Sequence, residues 1–571
     1  MTSLLNKIRC AFPVLLIIGM SLCFLMPAQA DTGSPPGPGA VENSIKERNA
    51  SDPARLPQIK IEDERGRSFT GNTGASFRLK SVSIEGNRIF SSDELASLLG
   101  KYIGKNIKVD ELLSMADILT NYYRQQGYLL SKAYIPPQTI KNSVVIKIRE
   151  GQLGEIVVKG NQKYSSRLIK NTLKLVRAEG AIKLADLERG LLLLLDCPGM
   201  KVKATLKPGA KPGTSDLVIN VVEEKRYEFG IDYNNFGSEY VATHRIGAAA
   251  AFNNVFGFGD KFSVRAVTGP DGSGDLIYGR GDYIMPLGHS GVRMGIYFAA
   301  LSYELDEELE AFDIEGDTEK GGFWFNYPFI RSRYLSIWGD VGFEYHNIKE
   351  IFASQTLGLD KLRKAHLGMR LQSADNFFGG GITDIDLNYY QGFSGLFGGS
   401  KDGDINLVRL QSEPGFYKLV MNYSRYQKLP HNFAALFSIT SQFTNSRLPS
   451  SEQMHLGGAG TVRGYDMSEF SGDKGFFSTA ELRIPLYQAG RYGFQLATFV
   501  DYGKVVLNDT LVAESSLMES TCLGAGAGFR FSISRFLKLK IDYARSVGED
   551  DPFDADTDAN GVWYLQLILN Q

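Results

Sequence analysis

From Arg226 to the C-terminus apolar and polar residues alternate one for one. Across Tyr334–His346, Leu335, Ile337, Val341, Phe343 and Tyr345 share one face, and Ser336, Trp338, Asp340, Glu344 and His346 the other. Leu537, Leu539, Ile541 and Tyr543 oppose Lys538, Lys540, Asp542 and Ala544, and Ile385, Leu387 and Tyr389 oppose Asp384, Asp386 and Asn388. A period of two predicts strands with one apolar face. Roughly sixteen such segments run from Tyr227 to Asn570, an even number as a bacterial membrane barrel requires. Connections alternate between short turns, such as Pro286–His289 and Ser534-Arg535, and long polar loops, Asp306–Glu319, Ser394–Pro414, Asn445–Lys474 and Gly548–Gly561. Alternation alone also suits a soluble sandwich. Strand number, loop asymmetry and aromatic content favour a membrane β-barrel of antiparallel strands over 226–571, because only closure leaves no unpaired edge in lipid.

Upstream the pattern is a repeat. Val82-Ser83-Ile84-Glu85-Gly86-Asn87 returns as Ile156-Val157-Val158-Lys159-Gly160-Asn161, and Phe90-Ser91-Ser92 as Tyr164-Ser165-Ser166. The copies close on Val144–Ile148 and Leu217–Val221. Each reads strand, turn, two helices, strand, strand, which predicts two small α+β domains at 77–150 and 151–225. Ser91 and Glu94 form a capping-box pattern. Leu191–Leu195 is too short to cross a membrane and belongs to a buried helix face.

Met1–Ala30 reads as a signal peptide: Lys7 and Arg9, an apolar core over Ala11–Met26, then the cleavage site Ala28-Gln29-Ala30. Residues 31–76 form a Pro/Gly-rich linker with one short amphipathic stretch, Val41–Asn49, that reads as a helix. A net charge of −2 offers no basic field for nucleic acid. Past the signal only Cys197 and Cys522 remain, in different domains, so neither a disulfide framework nor a Cys metal site is expected. The sequence contains no H-E-x-x-H, G-x-S-x-G or G-x-x-x-x-G-K-[ST] signature. Gly524-Ala525-Gly526-Ala527-Gly528 lies in a predicted strand, where glycine eases bending or packing. Asp556–Gly561 imitates the start of a calcium loop, but Leu567 replaces the closing Glu. No catalytic residue, metal or cofactor is expected.

Candidate chemistry concentrates in Leu456–Gly475. Gly457, Gly458 and Gly460 make that backbone pliable, and Val462-Arg463-Gly464-Tyr465 follows. Downstream, in Phe499-Val500-Asp501-Tyr502-Gly503, the residues Phe499, Asp501 and Gly503 fall on one face, opposite Phe494, Leu496 and Val500. The second face suits lipid, so Asp501 points into the lumen and needs a partner or water. Arg463, on a loop 445–474 folded into the barrel, is predicted to form that salt bridge.

The two modules with their Gly-Asn turns, the barrel and these two motifs together resemble the TpsB-type transporters of two-partner secretion, relatives of haemolysin and filamentous-haemagglutinin exporters. Asp232–Ser238 and Asn253–Asp260 match that pattern too. The resemblance implies that the modules are POTRA domains in the periplasm below an outer-membrane pore. It implies recognition of a dedicated, β-rich, TpsA-like secreted protein, exported to the cell surface or medium without ATP. It also implies a monomer in outer-membrane lipid, served by periplasmic chaperones and the barrel-assembly machinery during biogenesis. An outer-membrane insertase of the BamA type is the alternative, and such proteins usually carry more than two modules. A porin-like solute channel leaves the modules unexplained. The chain departs from the family at its end, Leu567-Ile568-Leu569-Asn570-Gln571, where an aromatic residue is usual, and Val41–Asn49 is its only candidate for the N-terminal plug helix that the resemblance implies.

Overall fold

The computed structural model describes residues 37–45, 61–63, 76–139, 142–174, 181–211, 213–270, 275–305, 313–508, 518–547 and 561–571. The expected signal peptide, the imitation calcium loop and most of the linker lie outside them. Among the described residues, sixteen antiparallel strands close into a barrel, from Tyr227–Asn234 to Val562–Asn570. Ile231, Val341, Leu367 and Val500 are exposed on the outside, while Asp232, Asp501 and Asp542 are buried within. Apolar outside and polar inside is the reverse of a soluble sandwich. The seam between first and last strands is short, running from Gly230 opposite Asn570 to Asn234 opposite Gln566. Gln571 extends it by donating its backbone N–H to Phe229 O at 2.9 Å, so the non-aromatic end still closes the ladder.

The strands are unequal. Ile314–Arg331, Leu335–Phe352 and Gln355–Asp375 are far longer than Tyr227–Asn234, and one wall stands above the other. The polar run expected as the loop Asp306–Glu319 is therefore partly strand: Ile314 to Glu319 pair with Phe352 back to Asn347. Alternation fades there because both faces of the tall wall meet water or loop.

The first module carries strands Ser81–Glu85, Ser143–Arg149 and Lys132–Tyr134 in one sheet, backed by helices Ser92–Ser97 and Val109–Gln125. Leu95, Leu99, Leu112, Met115, Leu119 and Ile146 form its core. Half of the expected capping box is present. Ser91 accepts from the Glu94 N–H at 3.2 Å, but the Glu94 carboxylate turns away to accept from Tyr122 Oη at 2.5 Å. The second module orders its sheet with Gln152–Lys159 at one side, then Thr214–Glu223 and Met200–Pro208. Leu191, Leu192 and Leu194 of helix Leu184–Leu195 are sealed in its core.

The second module meets the barrel's near rim. Arg331 grips Asp196 through two bonds of 2.7 and 3.0 Å, Arg333 reaches Glu188 at 3.3 Å, and Arg189 Nη2 donates to Pro328 O at 2.7 Å. The short turns therefore face the modules, and the long loops lie at the opposite end.

Candidate functional site

The loop between strands Ala434–Phe443 and Lys474–Ala489 folds into the barrel and carries a small hairpin, Met454–Leu456 against Phe470–Gly472. Its tip reaches the wall built by Lys474–Ala489, Tyr492–Val506, Glu519–Ile533 and Leu537–Ser546. Glycines on that wall make the fit possible. A Cβ on Gly524 would lie 1.8 Å from Arg463 O, and one on Gly503 would strike Leu456 and Val462 within 2.9 Å. Gly464, at φ +96°, presses against the backbone of Arg545. Val462 is sealed with Leu456, Phe477, Val505 and Cys522 in an apolar contact that seats the loop.

Arg463 is 4% exposed. Its Nε donates to Asp501 Oδ2 at 2.6 Å and its Nη2 to Asp501 Oδ1 at 2.9 Å, a fork-to-fork pair. Its backbone N–H reaches the same carboxylate at 3.2 Å. The guanidinium carbon sits 3.2 Å from the Phe499 ring centroid. Tyr465 Oη donates to Leu523 O at 3.3 Å and accepts from Leu523 N at 3.2 Å. Tyr564 Oη bridges the motif, accepting from Gly464 N and donating to Tyr465 O, each at 3.0 Å. The structure thus brings Val462, Arg463, Gly464 and Tyr465 against Phe499, Asp501 and Gly503.

Sequence reasoning expected one cation on one anion. The geometry holds more: Arg463 Nη1 also donates to Asp542 Oδ2 at 3.1 Å and faces Glu481 Oε2 at 3.4 Å. Arg530 bridges Glu481 and Asp542, Arg483 reaches Glu481 at 2.7 Å, and Lys540 reaches Asp542 at 3.2 Å. Alternation had placed Lys540 and Asp542 on the polar face of their strand. Cross-strand register, which a single sequence does not show, decides that Asp542 meets Arg463.

A second row of charges crosses the lumen to the helix Pro38–Ile45, which starts ahead of the expected Val41–Asn49 and ends, as described, at Ile45. Val41 is fully buried against Val241, Leu276, Leu301 and Tyr303. Glu42 lies 2.9 Å from His346 and 3.4 Å from Lys320. Lys320 and Lys364 both reach Glu344, at 3.2 and 2.9 Å, and Lys364 and Lys418 both hold Glu452 of the infolded loop, at 2.5 and 2.9 Å. Glu344 on the wall thus links the cation that holds the helix to one that holds the loop. Among the described residues, a cavity of about 590 Å³ lies between them, bordered by Ser44, Ile45, Lys540 and Gly457–Thr461.

The sequence model of the haemolysin secretion/activation proteins ShlB/FhaC/HecB matches residues 213–531, and that of the ShlB-type POTRA domain matches 77–151. The heme/hemopexin transporter protein HuxB of Haemophilus influenzae strain 86-028NP is 26% identical over 564 residues, covering 96% of this chain and 97% of its own length. The outer membrane transporter CdiB of Dickeya dadantii is 23% identical, covering 73% and 74%. Among solved structures, CdiB from Escherichia coli superposes with a TM-score of 0.73 at 19% identity, covering 89% of this chain and 93% of its own. CdiB from Acinetobacter baumannii gives 0.63 at 16%, covering 100% and 98%.

Proposed function

Because this chain belongs to the ShlB/FhaC/HecB family, outer-membrane transporters of secreted partners with their POTRA domains in the periplasm, we propose that it exports one dedicated β-rich protein without ATP. The carrying observation is a lumen occupied by segments that are not part of the wall: a loop held by Arg463 on Asp501 and a helix held by Glu42, on either side of a small cavity. A static solute channel has no need of them. The partner is recognised in the periplasm, where an extended segment adds to a sheet edge of a module and main-chain hydrogen bonds supply affinity. The absence of a phosphate-binding loop from the sequence supports export driven by partner binding and by folding outside the cell. One chain supplies every strand of the barrel, which supports a working monomer. Arg463 and Asp501 set the resting position of the loop, and the pair acts in transport by forming and parting.

Two experiments test this. Deletion of the gene removes one large protein from the culture medium and leaves other outer-membrane proteins at normal levels. Broad loss of barrels indicates the BamA-type insertase instead, and altered solute uptake alone a porin. Arg463→Ala leaves Asp501, Asp542 and Glu481 short of a cation, at a cost of about 3–5 kcal/mol, less where water enters. The barrel still inserts and shifts on gels on heating, secretion falls, and Cys522, now sealed under Val462 and Leu456, becomes open to maleimide. Normal secretion at normal expression removes the role assigned to Arg463.

A further inference from the structure

The infolded loop has a second attachment at its other end. Asp473, just before strand Lys474–Ala489, is fully buried. Its carboxylate gathers donors from three different loops. Arg409, in the segment after strand Gly381–Gly392, donates through Nη1 at 2.5 Å to Oδ1 and through Nη2 at 3.2 Å to Oδ2. Leu448, in the first limb of the infolded loop, donates its backbone N–H to Oδ1 at 2.9 Å. Asn508, just beyond strand Tyr492–Val506, donates its backbone N–H to Oδ2 at 2.6 Å.

The donors also interlock. Arg409 Nη1 reaches Leu448 O at 2.7 Å, and the Asn508 amide reaches Ser446 O at 3.0 Å. Glu413 N donates to Arg447 O at 2.7 Å. Leu407, Phe416 and Leu448 are buried around this knot. It lies at the end of the barrel away from the modules, since the turns that touch Asp196 and Glu188 are at the opposite ends of the strands.

We propose that Asp473 is a positioning residue that closes the pore exit. One buried carboxylate clasps three of the loops at the outer mouth, and a polypeptide leaves only when Arg409 and Asn508 part from it. The clasp is separate from the Arg463 attachment, because the tip of the loop is held by Asp501 on the wall and its base by Asp473 within the loop itself. A buried acceptor with several donors suits this work: losing it takes the shared anion from Arg409, from the Leu448 and Asn508 main-chain N–H groups and from the Gln453 amide at once, so the mouth is either shut or apart, with little between.

The proposal rests on the lumen being the translocation path, but its test needs no partner. Full-length Asp473→Asn protein is placed in planar lipid bilayers beside wild type and Arg463→Ala, and Cys522 is probed with a PEG-maleimide. The expected result is a rise on the order of tenfold or more in the ratio of open to closed current, equivalent to losing one hydrogen bond to a charged group. Cys522 stays unreactive, because Arg463 still seats the loop tip. Arg409→Gln, which frees only one loop, gives a smaller rise in the same direction, and it decides the matter if Asp473→Asn fails to insert. Unchanged current in the variants that insert overturns the proposal. A rise that comes only together with Cys522 labelling also overturns it, since the loop tip would then be the whole gate. Normal export beside a raised current would leave the exit clasp standing and count against the resting role given to Arg463 only if Arg463→Ala exports normally too.

Discussion

Gly86 and Gly160 stand at the same step of the two periplasmic modules, at φ +85° and +83°. A Cβ at either would lie 2.4 Å from a main-chain oxygen, that of Ile148 in one and of Val221 in the other. The next residue repeats as well. Asn87 Nδ2 donates to Phe90 O at 2.8 Å, and Asn161 Nδ2 to Tyr164 O at 2.7 Å. A glutamate then closes each turn. Glu150 accepts from Arg88 N, Ile89 N and Tyr123 Oη at 2.8–2.9 Å. Glu223 accepts from Gln162 N, Lys163 N and Tyr164 N at 2.8–3.0 Å.

The modules part company at one sheet edge. In the first, the strand after the long helix is only Lys132–Tyr134, and Thr120 of that helix takes the Ala133 N–H at 3.0 Å. In the second, the equivalent strand is Met200–Pro208, and the chain's own linker, Ile61–Asp63, lies along it in parallel register from Ala204 to Leu206. An edge that accepts one extended segment has the geometry to accept another. The difference teaches that two copies of one design diverge at a sheet edge, closed by the module's own helix in the first and covered by the linker in the second.

The largest test of the shared turn is Gly160→Ala beside Gly86→Ala. Positive φ and a clash with main chain together cost about 3 kcal/mol or more, and each variant unfolds its own module first, read as new protease sites in the full-length protein. If one glycine tolerates alanine and the other does not, the turns are not equivalent.

The glutamates come next. Burial raises the Glu223 carboxyl, but the Tyr164, Gln162 and Lys163 N–H groups outweigh it and hold it below its ordinary value of 4.5. A depressed folded-state value stabilises the module above pH 4.5 and loses that contribution as pH falls through the folded value. Glu223→Gln therefore lowers stability at neutral pH by about 1 kcal/mol, the residue being partly exposed, and flattens the acid side of the unfolding profile.

The smallest effect concerns the edge itself. Glu62→Pro removes a main-chain donor from the linker strand and disturbs its pairing. Amide exchange quickens along Lys203–Leu206 of the second module and stays unchanged at Lys132–Tyr134 of the first. Equal exchange in variant and wild type means that the linker does not protect this edge.

Strand period, the repeat and the Arg463 and Asp501 motifs are properties of neighbouring residues, so the sequence alone determined the barrel, the two modules and the lumenal face of Phe499, Asp501 and Gly503. Alternation also put Lys540 and Asp542 on the inner wall, and the glycines of Gly524–Gly528 were legible as packing residues. Only the folded chain decided that Gly524 leaves room for Arg463 O, that Arg463 reaches Asp542 and Glu481 as well as Asp501, and that Glu344 joins Lys320, the partner of Glu42 on helix Pro38–Ile45, to Lys364, the partner of Glu452. It alone decided that Asp473 gathers Arg409, Leu448 and Asn508. These contacts join residues tens to hundreds of positions apart. Strand register and loop path set their distances, and a one-residue slip would point every one of those wall charges into lipid.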